Sequence, residues 1–436
     1  MIALIQAGGA GTRLKSITGD LPKPMVSIAG KPILEWQIES LKRGGVDEFI
    51  IVVSHSSTAV QDYFGNGSKF GCKIDYIVET SPLGSGGALA LVASSIKKDF
   101  FLCFGDLMLD IDWSRFMAFH KQSGAIITAF AHPNSHPYDS DILLCKDDGK
   151  IINILRKNEK RDFFYKNLTN AGIYCLSPIL LDTFDPDDEP IKMDFEKDLL
   201  IPTIACGGAY AYRSSEYVKD AGTPDRFRAV TEDCESGIIS AKSLKKPQKA
   251  IFLDRDGTIN RFGDFVTDES KLKLMPEAPA SIKRINRSPY LAICITNQPV
   301  IARGETTFEG LQEIHNKMEV LLGNEGAYLD DLYFCPHHPD KGFPGEVKEL
   351  KIDCNCRKPK IGMLLKAKEK YNIDLSSSWF IGDTCQDVQT GINAGCRTVL
   401  LLGGDPRPYA KYADAKPDYI CNTIDQAVEY ILGKEK

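Results

Sequence analysis

Residues 250–260 read AIFLDRDGTIN: a short apolar run, two aspartates flanking an arginine, and a Gly-Thr turn. An unbroken apolar run closed by a turn is what a strand buried on both faces requires, as in a parallel sheet covered by helices. The run ends on Asp254 and Asp256, so two carboxylates share one side of the loop that leaves the strand. Downstream, YLAICIT (290–296), LYFC (332–335), SWFIGD (378–383) and TVLLLGG (398–404) read as further strands, with helical segments such as PKIGMLLKAKEKY (359–371) between them. The same grammar opens the chain. MIALIQ (1–6) predicts a strand. Residues 32–43 predict a helix with Leu34, Ile38 and Leu41 on one face and Gly44-Gly45 as its stop. EFIIVVS (48–54) and KIDYIVE (73–79) follow as strands, GALALVASSI (87–96) as a helix, and FLCFGD (101–106) as a strand ending on an acid. Between the two blocks the stretch 232–248 loses hydrophobic periodicity and gathers Ser, Lys and Pro. The prediction is an α/β chain of two domains, residues 1–232 and 249–436, joined by a linker over 233–248.

Composition agrees. At about 150 residues per domain, 436 residues make two or three domains. Charged residues at 26% and hydrophobic ones at 43% are those of an ordinary globular chain. The formal charge of -6 argues against a nucleic-acid binder held by a basic face. No window approaches the roughly 20 apolar residues of a membrane span, and the N-terminus lacks the cationic start of a secretory leader. The thirteen cysteines are scattered through apolar strands, which fits a reducing cytoplasm better than a disulfide framework. No membrane or nucleic-acid partner is expected, and a homo-oligomer stays open.

Gly8-Gly9-Ala10-Gly11-Thr12-Arg13-Leu14 follows the first strand directly. Without Cβ atoms, such a turn lets backbone N–H groups approach phosphate. It is neither a GxGxxG fingerprint nor a Walker A loop, and by itself could be a tight turn. Its company decides: Arg13 inside the loop, Leu21-Pro22-Lys23-Pro24-Met25, Lys31-Pro32, Glu79 with Pro82-Leu83-Gly84-Ser85-Gly86-Gly87, Gly105-Asp106, Asn170-Ala171-Gly172, and Asp220-Ala221-Gly222-Thr223-Pro224. In this order the motifs resemble those of the sugar-1-phosphate nucleotidyltransferases over residues 1–230. The resemblance implies a Rossmann-like domain in which a sugar-1-phosphate oxygen attacks the α-phosphorus of a nucleoside triphosphate. Arg13 and Lys23 would neutralise the charge that develops on the phosphoryl oxygens and pyrophosphate. Asp106 and Asp220 would hold Mg2+. Gln6, Gly8, Gly9, Gly11, Thr12 and Gly86 would line the nucleotide, and Asn170 and Gly172 the sugar. Where relatives often carry Glu-Lys, this chain has Arg156-Lys157; Lys157 reads equally as a sugar-phosphate ligand or a solvated lysine.

In the second block, Asp254-x-Asp256-Gly-Thr could by itself be a calcium-like loop or an exposed turn. Thr296-Asn297 ending a strand, Lys358-Pro359 before a helix, and Gly382-Asp383 with Asp387 complete an order that resembles the haloacid dehalogenase superfamily of phosphatases. The resemblance implies that Asp254 attacks phosphorus to form an aspartyl-phosphate. Asp256 would protonate the leaving alkoxide and then activate water. Lys358 and Thr296 would bind the phosphoryl oxygens. Mg2+ would be held by Asp254, Asp383 and the Asp256 backbone carbonyl. Asp387 reads either as an orienting partner of that site or as a helix N-terminal acid.

Cys335-Pro-His337-His338 and Cys354-Asn-Cys356 stand apart from the other cysteines. Three thiolates and one imidazole suit tetrahedral Zn2+ in a closed structural site. The intervening PDKGFPGEVKEL loop is polar and lacks a core, so a metal would order it. Taking His337 rather than His338 as the fourth ligand rests on the family pattern. With Arg357 and Ile301-Ala302-Arg303-Gly304, this loop resembles the D-glycero-D-manno-heptose 1,7-bisphosphate 7-phosphatases; histidinol-phosphate phosphatases share the loop. Asn297, Arg303 and Arg357 would contact substrate, the arginines through a second phosphate or sugar hydroxyls. Pro299-Val300 in TNQPV departs from the usual Ser-Gly after TNQ and would reshape the leaving-group pocket. Together the resemblances imply consecutive steps to a nucleotide-activated heptose, with the α-anomer and GTP carried by analogy. The rivals are a hexose-1-phosphate transferase joined to a histidinol-phosphate-type phosphatase, a chain with one silent regulatory half, and a nucleic-acid end-processing phosphatase, disfavoured by the charge.

Overall fold

The computed structural model describes residues 1–8, 19, 21–54, 58–185, 189–403 and 412–434. Its contacts divide the chain into two compact units. The first comprises Met1–His132, Leu143–Leu155 and Thr169–Ser243; the second comprises Pro133–Ile142, Arg156–Leu168 and Leu244–Lys436.

In the first unit the strand Ile2–Gln6 pairs in parallel with Glu48–Ser54 on one side and Phe100–Phe104 on the other, and Glu48–Ser54 pairs in parallel with Lys73–Glu79. Ala3, Leu4 and Ile5 are fully buried, as their unbroken apolar run requires. The helix Ile33–Arg43 covers one face with Leu34, Ile38 and Leu41, all buried. Beyond Phe104 the sheet turns mixed. Thr169–Leu176 runs antiparallel to Phe100–Phe104 and to Ile127–His132, and Ala209–Arg213 joins Ile127–His132 in parallel. With Ile142–Cys145 and Ile151–Leu155 this makes a nine-stranded sheet among the described residues. A separate ribbon pairs Tyr217–Asp220 antiparallel to Leu107–Asp110, which places Asp220 opposite Leu107 and next to Asp106.

Two expectations change. The α-helix over 87–96 is a 3-10 helix over Gly87–Val92. Its turns are tightened by i→i+3 bonds such as Leu89 N–H to the Gly86 carbonyl, and beyond it the Val92 carbonyl accepts from the Ser95 hydroxyl as well as from the Ser95 and Ile96 N–H groups. The span 233–248 carries the end of the helix Pro224–Glu235 and the short helix Ile238–Ala241, and the units divide at Ser243/Leu244. Val230 and Ile239 are buried there with Phe227 and Ile238 packed alongside, a sparse apolar face that a polar composition hides.

The second unit holds a six-stranded parallel sheet among the described residues, in the order Asp331–Cys335, Tyr290–Asn297, Lys249–Leu253, Trp379–Gly382, Arg397–Leu401, Tyr419–Cys421. Side chains alternate across the central strand: Ile251 and Leu253 enter one core, Ala250 and Phe252 the other. Helices therefore cover both faces. The strand carboxyl ends carry Asp254, Thr296, Cys335 and Asp383 to one edge, where open parallel sheets bind ligands. Among the described residues no helix is long and apolar enough to cross a membrane.

Candidate active sites

In the first unit the ribbon and the central sheet bring three charged groups together. Lys23 Nζ lies 3.2 Å from Asp106 Oδ2. Asp220 accepts two bonds from Arg226 Nη1, at 2.9 and 2.7 Å. A Cβ added at Gly222 would lie 3.1 Å from Asp220 Oδ1, 3.3 Å from Lys23 Nζ and 3.6 Å from Asp106 Oδ2, so all three converge on one point. Beside them Gln6 Nε2 donates to the Ser85 carbonyl at 2.7 Å, and Gly105 N–H to the Gln6 carbonyl at 2.8 Å. Gly8 has Glu79 against its bare Cα, with burial raising that carboxyl above its ordinary range. Asn170 Nδ2 donates to the Tyr174 hydroxyl at 2.8 Å, and its Oδ1 accepts from Gly172 N–H at 3.2 Å. Asn170–Tyr174 is where the strand register shifts against Ile127–His132. Two hard carboxylates facing two cations suit a divalent ion and a polyphosphate together.

The second unit's site is buried and dense in charge. Asp254, Asp256, Thr296, Lys358, Asp383 and Asp387 are all buried. Lys358 Nζ lies 2.8 Å from Asp254 Oδ1 and 2.6 Å from Asp387 Oδ1. Burial and the Asp387 carboxylate push Asp254 up to about 6 against the pull of Lys358. Burial also pushes Asp256 up, but the Arg255 guanidinium and bonds from Asn260 and Gln298 outweigh it and hold the carboxyl below its ordinary value. Arg255 has no exposed surface; its Nη2 reaches both Asp256 oxygens at 2.9 Å, and its Nη1 lies 3.2 Å from His315 Nε2. Asp387 also closes a capping box with Thr384 at the start of the helix Cys385–Ala394. That proximity needs Gly382, because a Cβ there would sit 2.3 Å from Asp387 Cβ. Ligand oxygens of Asp254, Asp383 and Asp387 all lie within 4.8 Å of one another. Three buried carboxylates against one lysine leave an excess of hard, negative donors, which fits Mg2+.

Cys335, His337, Cys354 and Cys356 also present ligand atoms within 4.8 Å of one another. The sulfur separations are 3.5, 3.3 and 3.2 Å, and His337 Nδ1 lies 3.3 Å from Cys356 Sγ and 3.7 Å from Cys335 Sγ. These spacings are far beyond an S–S bond of about 2.05 Å and approach the edges of a tetrahedron with Zn–S of about 2.3 Å. The donor set fits zinc.

The nucleotidyl transferase family matches residues 2–237. The chain belongs to that family. A HAD-hydrolase-like family matches residues 355–427. The D-glycero-beta-D-manno-heptose-1,7-bisphosphate 7-phosphatase of Yersinia pestis is 34% identical over 187 residues, 43% of this chain and 97% of the relative. The mannose-1-phosphate guanylyltransferase of Mycobacterium tuberculosis is 28% identical over 247 residues, 56% of this chain and 67% of the relative. Among solved structures, HddC from Yersinia pseudotuberculosis shares 29% identity, with a TM-score of 0.46 over 53% of this chain and 99% of that one. The protein is a two-unit enzyme, a nucleotidyltransferase joined to a phosphatase.

Most of the residues expected at the two sites come together, with exceptions. Gly9, Gly11, Thr12 and Arg13 lie outside the described residues. In the transferase, the N–H of Gly86 is taken by the Met193 carbonyl. Lys157 is exposed and bonds Asp141 through its backbone N–H. In the phosphatase, Asn297 spans the Lys358 backbone, accepting from its N–H and donating to its carbonyl, so its amide braces Lys358 instead of facing substrate. The Thr296 hydroxyl accepts from Gln298 Nε2 at 2.9 Å. Arg357 is half-buried and donates to the His337 carbonyl. Sequence reasoning missed Arg255, Asn260, Gln298 and His315 around Asp256, and Arg226 on Asp220. Arg255 between two aspartates was a visible signal; His315, 60 residues away, was not.

Proposed function

We propose that the chain performs two consecutive steps toward a nucleotide-activated heptose. The phosphatase removes the 7-phosphate of D-glycero-α-D-manno-heptose 1,7-bisphosphate. The transferase then joins the heptose 1-phosphate to GMP from GTP, giving GDP-heptose and pyrophosphate. The pairing itself carries the reading: a unit similar to heptose bisphosphate 7-phosphatases would release a sugar 1-phosphate, the class of acceptor that the guanylyltransferase relative is named for. GTP follows the name of that relative. The phosphatase relatives are named for the β-anomer, so the α-anomer rests on the transferase half and the β-bisphosphate is its competitor in the assay.

In the phosphatase, an Asp254 oxygen attacks phosphorus and the bond from phosphorus to the sugar oxygen breaks. Asp256 delivers a proton to the departing alkoxide. Asp256 then takes a proton from the water that cleaves the aspartyl-phosphate and frees inorganic phosphate. The hydrogen bonds that Arg255, Asn260 and Gln298 give its carboxylate favour the basic form this second step uses. Lys358 and Thr296 bind phosphoryl oxygens. Asp254, Asp383 and the Asp256 carbonyl would hold Mg2+, which offsets the repulsion between a carboxylate and a phosphate. In the transferase, Asp106 and Asp220 would hold Mg2+, Lys23 and Arg13 would face the phosphates, Gln6 and Gly8 the base, and Asn170 and Gly172 the sugar. Cys335, His337, Cys354 and Cys356 would hold a structural Zn2+. None of the thirteen cysteines is in a disulfide, which supports a cytoplasmic location.

The test mixes the full-length protein with Mg2+, heptose 1,7-bisphosphate of either anomer and each nucleoside triphosphate in turn, with products identified by mass spectrometry. GDP-heptose from the α-bisphosphate is expected. Hydrolysis of histidinol phosphate with no release from either bisphosphate would sink the reading.

A further inference from the structure

The helix Phe308–Asn324 packs Leu311, Ile314, Met318 and Leu322 into the core of the second unit, and the same buried face carries His315. Packing alone would set an apolar side chain there. His315 is 3% exposed, with its ring centroid 5.5 Å from that of Phe334. Its Nε2 lies 3.2 Å from Arg255 Nη1. A guanidinium can only donate, so Nε2 accepts this bond and the ring carries its proton on Nδ1. Burial, and after it the charge of Arg255, hold the proton affinity of His315 well below the ordinary histidine value, which keeps the ring an acceptor.

The rest of Arg255 is turned onto its own neighbour. Nη2 reaches Asp256 Oδ1 and Oδ2, each at 2.9 Å, and Nε reaches Oδ1 at 3.2 Å. Folding a long side chain back onto the adjacent residue costs rotamer freedom, so its far end has to be held. Among the described residues, His315 is the hydrogen-bond partner of the remaining nitrogen. Asp256 also accepts from Asn260 Nδ2 at 3.0 Å and from Gln298 Nε2 at 2.8 Å, while Arg255 grips both of its oxygens. Without the imidazole, a buried N–H of a charged group loses its acceptor, and the guanidinium turns to find another. The carboxyl it grips turns with it.

We propose that His315 is a positioning residue: by accepting from Nη1 it fixes the plane of Arg255, which aims the Asp256 carboxyl first at the leaving oxygen and then at the attacking water. This rests on the roles given to Asp254 and Asp256 above. In the first step Asp256 gives its proton to the alkoxide as the bond from phosphorus to the sugar oxygen breaks. In the second it takes a proton from water as the water oxygen bonds to phosphorus and the bond from phosphorus to Asp254 breaks. A p-nitrophenolate leaves as a stable anion, so with p-nitrophenyl phosphate the second step alone depends on Asp256. The test follows the full-length, Mg2+- and zinc-loaded protein and its His315→Leu variant by rapid mixing with that substrate. The variant releases p-nitrophenol in the first turnover within about twofold of the wild-type rate, but hydrolyses the aspartyl-phosphate more slowly by on the order of tenfold, so the phosphorylated protein accumulates. His315→Gln, whose amide oxygen can take the place of Nε2, restores the second step. Should the leucine variant not fold, His315→Asn, whose amide stops short of that place, repeats its behaviour. With heptose 1,7-bisphosphate, whose alkoxide needs the proton, the first step slows as well. Equal slowing of both steps with p-nitrophenyl phosphate, no change in either, or a folded glutamine variant as slow as the leucine one overturns the inference. A wild-type protein inert toward the bisphosphate alone defeats the sugar assignment while the aryl substrate still judges His315. A wild-type protein that forms no aspartyl-phosphate from either substrate overturns the covalent mechanism and the inference together.

Discussion

Replacing Lys358 with methionine keeps the side-chain length and takes one positive charge from between two buried carboxylates. Lys358 is 3% exposed, with Nζ 2.8 Å from Asp254 and 2.6 Å from Asp387. At an effective dielectric of about 20, each contact carries about 6 kcal/mol of gross attraction. Desolvation of the three charges returns most of it, and breaking a buried pair costs about 3–5 kcal/mol net. The second unit of Lys358→Met therefore loses about that much stability at pH 7. Asp254, already near 6, climbs further because Asp387 faces it unopposed. The assay is hydrogen exchange by mass spectrometry across a urea series, read at Lys249–Leu253 and Trp379–Gly382 with strands of the first unit as the internal reference. Adding Asp387→Asn removes the like charge and recovers part of the stability. Phosphate release stays down by at least about a hundredfold in both variants, because a preorganised cation on the phosphoryl group is lost. A stability loss below about 1 kcal/mol, or a double variant no more stable than the single, would refute the claim that this lysine neutralises the pair.

Chelation and thiol counting test the Cys/His cluster: the native protein should release one zinc as three thiols become reactive, and lose phosphatase activity while keeping nucleotidyl transfer. Zinc absent from the native protein by elemental analysis would exclude the site. Asp106→Asn should abolish nucleotidyl transfer while phosphate release from the bisphosphate continues; loss of both would show that the halves are not independent. His120 is buried against Thr128, and burial lowers its proton affinity. A depressed histidine gives stability that is complete above its unfolded value of about 6.5 and is lost as pH falls toward the folded value. The melting temperature of the first unit should thus drop between about pH 6.5 and 5, and His120→Gln should flatten the drop; an unchanged slope in the variant would reject this assignment.

Much of this molecule was readable from its residues. Unbroken runs such as Ala250–Leu253 cannot face water on either side, so they had to be interior strands, and an acid placed after such a run had to emerge at the sheet's carboxyl edge. Glycines that stop helices, and the paired Cys-x-His and Cys-x-Cys, were legible for the same reason: their chemistry is local. Local signals failed where tertiary contacts outvoted them. The segment 87–96 has a helix-forming composition, yet its first turns tighten to 3-10 geometry against the 191–195 segment. Asn297 has the right type and place to touch substrate, but a neighbouring loop claims both ends of its amide.

The sequence by itself determined two α/β units and the carboxylates, lysine, thiols and imidazole that its motifs carry, because strand burial and donor chemistry are properties of a residue and its near neighbours. Tertiary structure decided which groups stand next to them. Arg255 and His315, 60 positions apart, meet beside Asp256, and Phe265 and Phe343 close on Arg303 from two loops. Charge and stacking energies fall off over a few ångströms, so they are set by distances that only the packed fold fixes.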